Sequence, residues 1–237
     1  MKTPMVAFFE HTFRADRRAF LNEPELPQIL YKVLSLLKGN PEGFLLIVET
    51  PALDACCRIG DSAGVAFEML QLDEAVEAGL RFARQSPETL VVVVSPHETG
   101  NLLTVERELP QFVERFSAIR SSSVRADREI GELASLATVL KVFQDAVGMP
   151  LEQPQAHRLS QLASGPERVQ AIAKLMTRHL GGVLIIQDSP SARSVPCFVH
   201  GPGAEDWPEV MDNSELAPRL RRQLGLDLRE ENPIRQE

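Results

Sequence analysis

Two short, continuously apolar runs constrain this chain more than any other feature. Gly43-Phe44-Leu45-Leu46-Ile47-Val48 and Thr89-Leu90-Val91-Val92-Val93-Val94 are bounded by turn residues and do not alternate. Runs of this kind suit strands buried on both faces, as in a parallel sheet. Between them, from about Ser62 to Arg84, Val65, Met69, Leu72, Val76 and Leu80 recur on one helical face. Strand, helix, strand in this order predicts an α/β fold with a mostly parallel sheet flanked by helices.

The flanking sequence extends that pattern. Glu23-Pro24-Glu25-Leu26-Pro27 has the proline and acidic residues of a helix start. Ile29, Leu30, Val33, Leu36 and Leu37 follow at helical spacing, and Lys38-Gly39-Asn40-Pro41 stops them. Val6 to Phe9 reads as a short strand. A segment of about 105–180 reads as mainly helical, with Leu133, Leu136, Leu140 and Phe143 on one face. Gly182 to Ile186 and Val195 to His200 read as strands. Asp212-Asn213 caps a final helix ending at Gly225, and the tail, about 229–237, is polar. With 237 residues, 43% of them hydrophobic, residues 1–237 can bury one core as a single domain.

Composition excludes several classes of function. A net charge of -8 offers no general attraction to nucleic acid or to an anionic membrane. No apolar run approaches the roughly 18 residues of a membrane span. The start is charged by Glu10 and His11, too soon for a secretory signal, which predicts a cytoplasmic location. Cys56, Cys57 and Cys197 form no CxxC pair, so zinc would have to draw on carboxylates and the five histidines: His11, His97, His157, His179 and His200.

In open α/β sheets, function gathers at the carboxyl ends of strands. The first run leads into Glu49, with Asp54 close behind; the second leads into Ser95-Pro96-His97-Glu98. Two carboxylates and a histidine at neighbouring strand ends can converge on a metal ion, although loop carboxylates are more often simply solvated. Arg58 beside the Cys56-Cys57 pair can lower a thiol pKa, against the ordinary reading of small, partly buried thiols. His179 falls at a helix end, where its charged form favours the dipole. Arg14, Arg17 and Arg18, and Arg219, Arg221 and Arg222, read as solvated faces.

Several separated blocks carry a family resemblance. Gly43 to Glu49, Asp54, Leu72-Asp73-Glu74-Ala75-Val76, Thr89 to Val93 and His97-Glu98-Thr99-Gly100 are similar in order and spacing to the alkaline phosphatase family. Val195-Pro196, Gly201-Pro202-Gly203-Ala204, Asp212 to Leu216 and Leu224-Gly225-Leu226-Asp227 resemble its closing strand and last helix. The resemblance implies the C-terminal half of an alkaline-phosphatase-like fold, with the N-terminal portion absent. In the family, two zinc ions and one magnesium ion serve a serine nucleophile in phosphomonoester hydrolysis.

Residue by residue, the resemblance assigns Glu49 to magnesium, Asp54 to one zinc and His97 to the other. Arg58, Pro96 and Pro190 stand where further zinc ligands are expected. Proline offers no ligand, and a guanidinium repels a divalent cation. The family's serine nucleophile and phosphate arginine precede the region matched here, and Ser62, Ser95 and Ser121 lack the nucleophile's context. With about one ligand per site, neither zinc nor magnesium is expected to bind tightly. The implied function is a non-catalytic or strongly impaired alkaline phosphatase homologue. The alternatives are a component of a zinc- and magnesium-dependent phosphomonoesterase completed by an N-terminal half or partner chain, and a phosphate binder using Arg58. Loss of neighbouring strands predicts a homo-oligomer or a separate N-terminal-half chain as partner, with no nucleic acid and no membrane. Family members are commonly periplasmic or secreted, which tempers the cytoplasmic expectation.

Overall fold

Helix α1 (Leu26–Leu37) begins with a reciprocal cap in which the Glu25 backbone N–H donates to Gln28 Oε1 at 3.1 Å. The computed structural model to which it belongs describes residues 24–99, 101–103, 109–181, 183–185 and 193–226. After α1 residues 43–50 form neither helix nor strand, and the chain then enters α2 (Pro51–Ile59), with proline in its first turn. Gly60, at φ 72°, ends α2 in the left-handed conformation that glycine adopts without steric cost. Asp61 then caps α3 (Ser62–Gln85) by accepting the Gly64 N–H at 2.9 Å.

Strand β1 (Val91–Val94) and β2 (Asn101–Leu103) follow. A helical layer comes next: α4 (Leu109–Ala118), α5 (Ser123–Ile130), α6 (Leu136–Val142), a π turn at Phe143–Val147, α7 (Gln153–Ser160) and α8 (Pro166–His179). The chain returns through β3 (Val183–Ile185) and β4 (Cys197–His200) and finishes, as described, in α9 (Leu216–Gln223). Gly201 permits the turn out of β4: a Cβ there would meet the Thr89 carbonyl oxygen at 2.3 Å. Among the described residues no helix is long and apolar enough to cross a membrane.

The main core lies among the helices. Phe67, Ile119, Phe143, Leu159, Ile172 and Met176 are buried together there. A smaller core joins Leu30 and Leu34 of α1 to Ala75 of α3, with Phe44 and Leu46 packed against them. The Phe44 and Phe82 rings meet edge-on at 6.0 Å.

The expected parallel sheet is not seen among the described residues. Among the described residues, the four strands form two antiparallel pairs, β1 with β4 and β2 with β3. Residues 43–48 form no strand. A ladder needs a neighbour to take its N–H and C=O groups, and none of the described residues supplies one. Phe44 and Leu46 instead satisfy their apolar character on α1 and α3, while Leu45, Ile47 and Val48 remain exposed. The expected strand at Val6 to Phe9 lies outside the described residues.

Candidate functional site

Helix α2 positions the acidic residue that sequence spacing picked out. Asp54 lies in its first turn, where a carboxylate suits the positive end of the helix dipole. One turn later, Arg58 faces it, and the Arg58 Nε donates to Asp54 Oδ2 at 2.7 Å. Both side chains are a little more than one third exposed, at 39% and 37%. The other oxygen, Oδ1, is buried with no hydrogen-bond partner among the described residues.

Cys57 connects this helix to the loop after β1. Burial, then the negative charges of Asp54 and Glu98, push its thiol up to about 11. The Cys56 thiol is raised as well, by burial first and then by Asp61 and Glu68. The expectation that Arg58 lowers a thiol pKa is therefore overturned. Desolvation and carboxylate neighbours outweigh the guanidinium, whose charge is already engaged by Asp54.

His97 is half-buried after β1, and its Nδ1 is buried without a partner among the described residues. Its carbonyl accepts from Ser95 Oγ at 2.6 Å, a local turn that occupies the Ser95 hydroxyl. Pro96 and Glu49 are exposed. Pro190 lies outside the described residues. Asp54 and Glu98 thus act on one thiol, whereas no described contact joins Glu49, Asp54 and His97.

The donors present do not fit a divalent cation at Asp54. A guanidinium is fixed in charge and holds one carboxylate oxygen, so a cation there would meet repulsion as well as a shortage of ligands. Among the described residues, no three His, Cys, Asp or Glu side chains are placed to hold one ion. The serine hydroxyls that lack the nucleophile's context are engaged in hydrogen bonds within the fold. Ser62 Oγ shares a hydrogen bond with Thr177 Oγ1 at 2.7 Å, and Ser121 Oγ donates to the Ser122 carbonyl at 3.1 Å.

The sequence reading missed a buried polar cluster beneath α3. Asp61 is wholly buried; its Oδ2 accepts the Ser123 N–H at 2.7 Å and the Ser123 hydroxyl at 2.6 Å. Burial raises its pKa despite these bonds. Farther along the chain, Arg168 is wholly buried and paired with Asp127, and its Nη2 donates to the Gly131 carbonyl at 2.7 Å. The Gly60-Asp61-Ser62 boundary marked a helix cap, but nothing in it announced a partner 62 residues away. His179 does end α8, yet burial and then Arg115 lower its pKa, so the charged form that would favour the dipole is itself disfavoured.

The comparisons with known proteins agree on one family. The family model for alkaline phosphatase matches residues 9–220. Alkaline phosphatase 3 of Bacillus subtilis is 23% identical over 212 residues, covering 87% of this chain and 45% of that protein. Among solved structures, the alkaline phosphatase of Thermus thermophilus superposes with a TM-score of 0.79 at 23% identity, over 91% of this chain and 50% of that one. The cold-active enzyme of a psychrophilic Shewanella gives 0.72 at 23% identity, over 84% and 50%. The fold is therefore alkaline-phosphatase-like, and the chain spans about half the length of these relatives.

Proposed function

The chain belongs to the alkaline phosphatase family, and we propose that within it this polypeptide is a non-catalytic or strongly impaired member. The observation that carries the reading is the Arg58–Asp54 ion pair at 2.7 Å. By the family resemblance, Asp54 is a zinc ligand and Arg58 stands where a zinc histidine is expected. A fixed positive charge then does part of what the metal does electrostatically, neutralising Asp54, but it has no open coordination position and polarises no bound water. Pro96 removes a second expected ligand without any replacement.

Hydrolysis by a two-metal route needs both ions held a few ångströms apart, each by three or four ligands. Glu49, Asp54 and His97, at about one ligand per site, fall short of that. The decisive experiment measures metal content and hydrolysis of p-nitrophenyl phosphate on one sample purified without chelator. The expected result is far less than one zinc per chain and no metal-dependent turnover. Two zinc ions per chain with chelator-sensitive turnover would overturn the proposal. A chain with stoichiometric zinc and no turnover would remove the Arg58 explanation while leaving the impairment.

A further inference from the structure

Between the end of α4 and the start of α7 the chain forms a cleft of about 600 Å3. Residues 118–120 make one wall, and residues 148–151, the link from the π turn to α7, make the other. Two contacts hold the walls together. The Arg120 N–H donates to the Val147 carbonyl at 2.9 Å. Gly148, at φ 80°, comes so close that a Cβ there would meet the Ala118 carbonyl oxygen at 2.0 Å. The backbone therefore sets the shape of the cleft.

Its lining divides by chemistry. Leu140, Met149 and Leu151 supply apolar surface. Met149 is buried in the main core, and Leu140 and Leu151 pack against that core. Arg120 and Gln144 line the same space from exposed positions. Neither side chain has a hydrogen-bond or ion-pair partner among the described residues. The carboxylate next in sequence, Asp145, is already paired with Lys141. Small-molecule sites commonly have this size and this mixture of apolar lining with a few polar groups.

We propose that the cleft binds a small organic monoanion, a carboxylate carried on an aromatic or branched aliphatic body. A guanidinium presents parallel N–H donors that match the two oxygens of a carboxylate. The Gln144 amide adds a neutral donor. One cation answers one negative charge. A phosphomonoester, with its charge nearer to two at neutral pH, would bring charge that no other residue of the lining neutralises. The apolar surface removes the body of the ligand from water. The site shares no residue with the Asp54–Arg58 pair, so it stands or falls separately from impaired catalysis.

The test titrates the full chain with 2-naphthoate, followed by calorimetry and by amide chemical shifts. Saturable binding with a Kd of about 1 mM or tighter is expected for a ligand of this size. The shifts should move at residues 118–120 and 148–151. Arg120→Met keeps an apolar stem without the guanidinium and should weaken binding about tenfold or more. 2-Naphthamide, with the same body and no charge, should bind weaker by about the same factor. Arg58→Met should bind as the parent does. Circular dichroism melting checks that the variants fold. If Arg120→Met does not, Arg120→Gln replaces it, and the amide comparison needs no variant. The proposal is overturned if saturation is absent up to about 10 mM, or if the amide binds as well as the acid. It is overturned equally if Arg58→Met rather than Arg120→Met abolishes binding, if the shifts lie elsewhere, or if naphthalene-2-phosphonate binds more tightly than 2-naphthoate.

Discussion

The helical layer and the strand layer of this molecule treat their polar and apolar groups in opposite ways. Among the helices, even the charged groups are enclosed and answered: Arg168 is wholly buried, with Asp127 and the Gly131 carbonyl as partners. In the strand layer, Ile47 is 75% exposed and Phe198 65%, and the backbone from 44 to 49 has no ladder among the described residues. The helical layer has the internal consistency of a unit that stabilises itself. The strand layer, among the described residues, has unpaired backbone and exposed apolar side chains.

The largest effect that can break this comparison is at Arg168. Arg168→Met removes the guanidinium and leaves the Asp127 carboxylate buried without its counter-charge. Breaking one side of such a pair costs about 3–5 kcal/mol. A fall of that size in the unfolding free energy from urea titration, seen as a lower midpoint at an unchanged slope, is expected. A loss well below 1 kcal/mol would mean that the helical layer is looser than its burial implies.

Next comes Asp61. Asp61→Ala leaves the Gly64 N–H and both Ser123 donors without their acceptor, at about 1–3 kcal/mol for a buried group left unsatisfied. The pH dependence has a definite sign. Burial raises the folded-state pKa above the unfolded value, so the folded protein binds more protons across the interval between them. The contribution of Asp61 is therefore greatest below the unfolded value and falls as pH rises through the folded one. The variant should lose that slope in urea titrations repeated across acidic to neutral pH. A slope that persists belongs to another residue.

The same division explains what the sequence disclosed. Helices α1 and α3 were legible because their apolar residues recur at helical spacing and their ends carry caps. β1 and β4 were legible as short apolar runs. Residues 43–48 have the composition of a strand, but a ladder is a property of two segments, and periodicity in one names no partner. Helix α2 went unread because nine residues around two cysteines show no clear apolar repeat, although Pro51 and Gly60 mark its ends. Once α2 is seen, the Asp54–Arg58 pair follows from i, i+4 spacing. The approach of Glu98 to Cys57 depends on how β1 lies relative to α2, which no local pattern encodes.

A smaller effect sharpens the comparison at the boundary between the layers. Arg58→Ala removes an ion pair whose partners are both more than one third exposed, so its cost should not exceed about 0.3–0.5 kcal/mol. Asp54→Asn tests the same pair chemically. Removing the Asp54 charge takes away one of the causes that raise the Cys57 thiol, so alkylation at mildly alkaline pH should quicken. Burial remains the leading cause, so the gain should stay below about tenfold, the equivalent of one pKa unit. Slower alkylation would show that Asp54 does not act on Cys57 as its charge requires.

A similarly small change in folding stability is expected at Phe198, where it is also the most informative. In β4 its neighbour across the ladder is Val93, yet the ring is 65% exposed. A side chain about as exposed in the folded protein as in the unfolded chain gains little from folding. Phe198→Ser should therefore leave the unfolding free energy from urea titration within about 0.5 kcal/mol of the parent. The fluorescence of a bound apolar dye such as anilinonaphthalene sulfonate should fall, because exposed apolar surface has been removed. A destabilisation above about 1 kcal/mol, the size expected of a packed side chain, would show that the strand layer closes on itself. The contrast between the two layers would then fail at its clearest point.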